Sequence, residues 1–467
     1  MAANVAMEDF TRFQLSELDQ IMPRLYVRWL LCIPVSQTSP SKMATVKILE
    51  SGIKDTLASL PVLQGIIVSK SSNPSRLEVQ VPKERPVFDL RVQHHDGDHD
   101  DTLPTYESLK EAEFPASSLP DKILTPLEIT PLPVLDIMAT FIRGGLLLCI
   151  KCHHVVIDGG GMGLVIKFLA QNCFANSGQE NLQPIIAPSM DRSILPQGKR
   201  SDLIIENGFH VVHHNGTAQK PTKDYVPMTS HTFKFKAEAL QRLKLLCSTE
   251  LGFISTQDAL TALLYGSVSY ARGRRFTETS TKAATLPSVM GIAVDGRGRL
   301  NPPAVNYAGN VTMYATYSSP ILLPVENIPS HSCKDLESLS QRLNLPSLAF
   351  QSRTAITAVT QDYIESVISA AESLEDVSRL QPSFADFFQG TDFFITSGAD
   401  FPVFEQDWWS GGKVDALRIP FKGNWDGSCV VLATQDRSKG LDIMLGLRED
   451  DMAVVRDILL AFEARIV

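Results

Sequence analysis

Apolar and polar positions along this chain follow two rhythms, one near period two and one near period 3.6, and the rhythms alternate. Tyr26–Val35 is almost continuously apolar and reads as a buried strand. Val46, Leu49, Ile53, Leu57 and Leu60 then recur at helical spacing within Met43–Leu63. Two short strands follow at Ile66–Ser69 and Leu77–Val81, and Phe114–Pro133 is irregular and proline-rich. Ile137–Ile142 and Leu146–His153 flank Gly144-Gly145, which predicts a hairpin. A helix over Gly160–Ala175 places Leu164, Val165, Phe168 and Leu169 on one face.

Periodicity lapses from about Gly178 to Pro227 and resumes with a strand near Thr229. Beyond it the pattern predicts helices at Ala237–Cys247 and Ile254–Arg274, then near Cys333–Leu343, Thr354–Glu372 and Glu449–Ile466. Strands are expected at Val289–Val294, Val311–Tyr317, Phe393–Thr396, Cys429–Thr434 and Leu441–Leu447. Ser16 with Asp19, and Ser255 with Asp258, have the spacing of a helix cap and its reciprocal acid. Strands alternating with helices in both halves imply an α/β or α+β fold with mixed sheets. The expected organisation is an N-terminal domain over residues 1–185, a crossover linker over 186–227 and a C-terminal domain over 228–467.

Composition narrows the function classes. The chain has 467 residues, 44% of them hydrophobic, enough for two cores. A net charge of −9 argues against non-specific nucleic-acid binding. No run of about 20 apolar residues predicts a membrane span. The seven cysteines show no paired spacing. Cys149 and Cys152 lie in one strand pattern and point to opposite faces, so neither a redox pair nor a zinc site is expected there. Met1–Gln14 reads as neither a signal nor a transit peptide, and a cytoplasmic location is expected.

The candidate chemistry lies in Cys152-His153-His154-Val155-Val156-Ile157-Asp158-Gly159-Gly160-Gly161. A strand ending on His154 can present the imidazole beside a cleft, where it can accept a proton and return it. A satisfied core histidine is the competing reading. Asp158 could orient that ring, cap the following helix or pair with a buried arginine; capping fits the local geometry best. No H-E-x-x-H zinc pattern and no G-x-S-x-G nucleophile elbow occur. His94, His95, Asp96, His99 and Asp101 could attract a metal, but a loop without a rigid frame favours plain solvation.

With these residues in place the chain resembles the BAHD acyltransferases, acyl-CoA-dependent enzymes of plant and fungal secondary metabolism, and within them the fungal trichothecene O-acetyltransferases. His154-x-x-x-Asp158-Gly159 matches the family's H-x-x-x-D-G motif. Leu15-Ser16-Glu17-Leu18-Asp19, Ser255–Leu260, Asp295-Gly296-Arg297-Gly298-Arg299 and Tyr307-Ala308-Gly309-Asn310 resemble further family landmarks. The resemblance implies two chloramphenicol-acetyltransferase-like domains, each a mixed sheet flanked by helices, with a channel between them. It implies His154 as base, Thr396 as a candidate oxyanion donor and a buried pair of Asp158 with Arg297. Gly159, Asn310 and Asp407 would support the site. It further implies acetyl-CoA as co-substrate, a small hydroxylated metabolite as acceptor, no metal and a monomer. N-acylation, a carrier-dependent condensation and a non-catalytic binding relative are the alternatives. The sequence departs from the family twice. Asp407-Trp408-Trp409-Ser410-Gly411 replaces D-F-G-W-G, which affects local backbone shape and packing. Thr396-Ser397-Gly398 replaces T-S-W, which is expected to widen the acceptor pocket or remove an oxyanion contact.

Overall fold

A computed structural model describes residues 10–35, 40–84, 88–179, 184–199, 208–212, 226–279, 286–322, 335–384, 386, 390–420 and 426–467. Much of the expected crossover, and Cys333, lies outside the described residues.

The first half begins with a short helix, α1 (Glu17–Gln20), closed by the reciprocal bonds of Ser16 and Asp19 that their spacing predicts. Strand β1 (Tyr26–Pro34) and helix α2 (Lys42–Ser59) follow. Strands β2 (Leu135–Ile142) and β3 (Gly145–His153) form the hairpin, register Ile142 opposite Gly145. The turn is therefore Arg143-Gly144 rather than Gly-Gly. Gly144 has φ +82°, the left-handed region that glycine tolerates, and Gly145 is already in the ladder. Helix α3 (Gly159–Asn176) packs along α2.

In the second half, β4 (Met228–Lys236), α4 (Thr256–Thr279), β5 (Pro287–Asp295), β6 (Thr312–Pro320) and β7 (Phe393–Ser397) precede β8 (Ala416–Arg418), β9 (Ser428–Leu432) and β10 (Gly440–Arg448). A mixed seven-stranded sheet runs β6-β5-β7-β9-β10-β4, with the two-residue strand Arg465–Ile466 at its edge. The first half holds a mixed five-stranded sheet ordered β8-β1-β3-β2 and then Arg91–His95. Its edge strand β8 comes from the second half: Ala416 pairs with Cys32 and Arg418 with Leu30. The halves are thus stitched together by shared backbone hydrogen bonds.

Four sequence expectations change. The helix expected over Thr354–Glu372 is two, Leu345–Ala358 and Gln361–Ser373, because Thr360 is extended and caps the second through Tyr363 N. The last helix ends at Ala461. His94 and His95 belong to a strand, not a loop. His94 stacks on Phe141, and His95 Nδ1 lies 3.0 Å from Asp100 Oδ2. Lastly, β8 was not expected.

The Asp407–Lys413 departure has a packing explanation. Trp408 and Trp409 are both fully buried and join the first half's core with Leu148, Val156 and Leu169. Gly411 turns the chain at φ +76°, and a Cβ at Gly412 would stand 2.4 Å from the Trp409 ring. The segment is an anchor for the strand that crosses between halves. Asp407 is only partly buried, and its carbonyl accepts from Gln406 Nε2 at 3.1 Å.

Candidate active site

His153 ends β3 and His154 begins the turn that follows, and the two lie in different environments. His153 is nearly inaccessible, stacks edge-on with Tyr26 and accepts from Val155 N at Nδ1, 3.4 Å. Burial, the neighbouring His154 and Arg24 push its pKa down to about 4. A ring held this way is structural. His154 continues the strand through its N–H, which donates to Leu25 O at 2.8 Å, so the ladder fixes its backbone. The residue is half-buried. Its Nδ1 is shut off from solvent and meets no partner with hydrogen-bond geometry. Nε2 has no hydrogen bond among the described residues and does not belong to the sealed, unpartnered atoms, so it keeps some access to solvent. Burial pushes the imidazole pKa down, while its own carbonyl, Asp158, the Asn310 side chain and Asp19 pull it back up. The net shift is downward, so the ring is neutral at pH 7 and able to accept a proton.

Asp158 faces away from this task. It caps α3 by accepting from Gly161 N at 2.8 Å. Its Oδ1 also accepts from Arg297 Nη2 at 2.7 Å, and Oδ2 from Arg297 Nη1 at 3.2 Å, Val311 N at 2.9 Å and Thr312 Oγ1 at 3.1 Å. Burial opposes ionisation, but Arg297 and these donors hold the carboxyl below the usual range. Arg297 is 4% exposed and also donates to Asp295 Oδ1, Tyr307 O and Gly309 O. Capping and ion pairing therefore coexist, and every donor direction around the carboxylate is used. Gly161 permits this docking, since a Cβ there would stand 1.9 Å from Ala308 O.

Asn310 is fully buried beside the same turn, its Nδ2 donating to Asp19 Oδ1 at 2.7 Å. Thr396 lies near the end of β7, opposite Val430, and its hydroxyl makes no hydrogen bond among the described residues. Gly398 follows two residues later. The space that a tryptophan would enter there is occupied: a Cβ at 398 would stand 2.8 Å from Phe401 Cε2. The same ring closes on Gly159, at 2.9 Å from a Cβ built there, and on Gly163 at 3.3 Å. It meets Trp29 edge-on at 5.4 Å. Phe401 thus fills room that the missing tryptophan was expected to leave open. Gly398→Trp is expected to overpack this contact and cost about 1–3 kcal/mol. Adding Phe401→Ala should recover most of that loss, read as urea midpoints of the single and double variants.

Phe401 and the buried pair Asp19–Arg192 escaped sequence reasoning. Asp19 carries a signal, its place in the opening motif, but its spacing from Ser16 points only to a helix cap. Among the described residues no cluster of three or more histidine, cysteine or acidic side chains could hold a metal ion.

Comparison with known proteins fits this geometry. Residues 25–173 match the trichothecene 3-O-acetyltransferase-like N-terminal domain. The eremophilane O-acetyltransferase prx11 of Penicillium rubens is 26% identical over 454 residues, covering 90% of this chain and 92% of that protein. The fumigaclavine B O-acetyltransferase easN of Aspergillus fumigatus is 25% identical over 470 residues, with 92% and 91% covered. The crystal structure of F. graminearum TRI101 complexed with coenzyme A and deoxynivalenol superposes with a TM-score of 0.79 at 22% identity, over 98% of this chain and 99% of that one. Vinorine synthase superposes at 0.63 and 15% identity, over 99% and 95%. Residues 25–173 thus match the trichothecene 3-O-acetyltransferase-like N-terminal domain, and over nearly its whole length the chain is similar to fungal O-acetyltransferases and shares the fold of TRI101 and vinorine synthase.

Proposed function

We propose that this chain is an acyl-CoA-dependent O-acyltransferase that moves an acetyl group to a hydroxyl of a fungal secondary metabolite, with His154 as general base. The observation that carries this reading is the asymmetry of the His154 ring: Nδ1 is buried, while Nε2 is unpartnered and open. The acid four residues on is occupied by Arg297 and by three further hydrogen bonds, from Gly161 N, Val311 N and Thr312 Oγ1, so it competes for neither ring nitrogen.

In this mechanism Nε2 takes the proton of the acceptor hydroxyl. The oxygen attacks the thioester carbonyl of the acyl-CoA and a tetrahedral oxyanion forms, stabilised by the Thr396 hydroxyl or a backbone N–H. The C–S bond then breaks, and the imidazolium returns its proton to the leaving thiolate. No covalent enzyme intermediate is required. The two substrates reach the ring from opposite sides, between the halves that β8 and the Asp158–Arg297 pair hold together. A terpenoid, alkaloid or polyketide alcohol is the expected acceptor class, supported by relatives named for an eremophilane and for fumigaclavine B.

The test is release of free CoA thiol from acetyl-CoA with a panel of hydroxylated metabolites, the acetylated product identified by mass. Thiol release without acetylated product would overturn the reading. The pH dependence gives a second check. The base works only when neutral, and its pKa is lowered by burial. Activity should therefore hold below the reference imidazole value of about 6.5 and fall at more acidic pH. An acid limb of kcat/KM centred above that value would contradict a buried histidine base.

A further inference from the structure

Asp158 is committed elsewhere, and although the ring of His154 feels its own carbonyl, Nδ1 meets no partner with hydrogen-bond geometry. Two buried atoms in this region are unsatisfied together. One is His154 Nδ1 and the other is Asn310 Oδ1. Leaving a buried polar atom unpaired costs about 1–3 kcal/mol, and the Asn310 side chain is among the groups that act on the His154 ring, so the two atoms call for a common explanation. The Asn310 amide is not free to turn. Its Nδ2 is held by Asp19 Oδ1 at 2.7 Å, and its own backbone N–H lies 3.4 Å from the same oxygen. Asp19, itself fully buried, is fixed in turn by Ser16 N at 2.8 Å and by Arg192 Nε at 3.0 Å. Arg192 Nη2 donates to Val156 O at 2.9 Å, two residues beyond His154. Val311, next to Asn310, donates its N–H to Asp158 at 2.9 Å. The cluster therefore closes around the His154–Asp158 turn from three distant parts of the chain.

We infer that Asp19 is a positioning residue for the reaction, acting through Asn310: it pins the amide nitrogen so that Oδ1 is presented to Nδ1 of His154. An amide oxygen can only accept, so the pairing is satisfied when Nδ1 carries the proton. That tautomer leaves the lone pair on Nε2, the nitrogen that is open. The chain thus replaces a direct acid–imidazole contact with acid, amide and imidazole in series. The negative charge of Asp19 also supports the imidazolium formed in mid-reaction, one amide removed. This inference rests on the reading of His154 as base.

The test compares Asp19→Asn, Asn310→Ala and their double variant with the wild-type chain. Misplacing a catalytic group by about 1 Å can cost about 10²-fold. Each single variant should lose roughly 10- to 100-fold in kcat by that measure, with KM for acetyl-CoA and acceptor within about twofold. Because both act along one path, the double variant should be no slower than Asn310→Ala alone. The acid limb of kcat in Asp19→Asn should move to lower pH as its plateau drops. Nitrogen chemical shifts of His154 report the tautomer directly: Nδ1 protonated in the wild type, mixed in both variants. Losses that multiply in the double variant, an unchanged kcat, or an unmoved tautomer ratio would each overturn the inference. Should Asp19→Asn not fold, Asn310→Ser carries the same comparison. A His154→Ala chain separates the two levels. If it retains full activity, the base assignment fails; if it is inactive while the Asp19 and Asn310 variants are untouched, only the relay fails.

Discussion

Replacing His154 with alanine should lower turnover of acetyl-CoA by at least about 10²–10⁴-fold, the range that a positioned general base supplies. On the proposed mechanism the loss should fall on kcat, because there the ring would act on the proton in flight and contribute little to holding either substrate. Stability should change little. The backbone N–H of His154, not its ring, makes the bond to Leu25 that continues the strand, and alanine keeps that bond. His153 provides the matched control. Its ring is buried against Tyr26 and its Nδ1 is committed to Val155 N. His153→Ala should therefore lower the denaturation midpoint more than His154→Ala does and leave the pH profile of the remaining activity unmoved. Unchanged turnover in His154→Ala, measured as thiol release, would end the base assignment.

The contrast between the two histidines also marks what the sequence could and could not tell. Local devices were legible, because their physics is contained in a few consecutive residues. The Ser16–Asp19 and Ser255–Asp258 caps form where the spacing put them, and the β2–β3 hairpin forms with its turn one residue earlier than the glycine pair suggests. Asp158 as a helix cap was legible for the same reason. Long-range commitments were not. Nothing in Val414–Ile419 signals that β8 will leave its own half and complete the other sheet, since a three-residue strand has no periodicity to read. The break between residues 358 and 361 was hidden because a helical pattern runs through it; the extended backbone at Thr360 decides it. The doubled histidine shows the limit most clearly. Adjacent residues at a strand end point opposite ways, and which one is buried depends on Tyr26 from β1 and on the 307–312 segment across the molecule. Phe401 belongs to the same class: a missing side chain at 398 looks like empty space until the chain returns three residues later to fill it.

Substituting Asp158 by alanine should destabilise the protein by about 3–5 kcal/mol, the cost of breaking a buried ion pair from one side. The magnitude follows from what is left behind. The Arg297 guanidinium, 4% exposed, keeps Asp295 and two carbonyls but loses its buried counter-charge. Gly161 N, Val311 N and Thr312 Oγ1 each lose an acceptor, and α3 loses its cap. Those bonds join the turn after His154 to the start of β6, so the loss should also loosen the base and lower kcat. Two comparisons separate this from a chemical role. Asp158→Ala combined with Arg297→Met should be less destabilised than the sum of the two single variants, because the stranded charge is gone. The pH dependence should carry the same signature. The Asp158 carboxyl is held below its unfolded value, so its contribution is complete above that value, about 3.9, and is lost as pH falls through the folded one. The wild type should thus lose stability on acidification below about pH 4 in a step that Asp158→Ala lacks. An Asp158→Ala chain with wild-type urea midpoint and no turnover would place the carboxylate in the chemistry instead of in the frame that holds it.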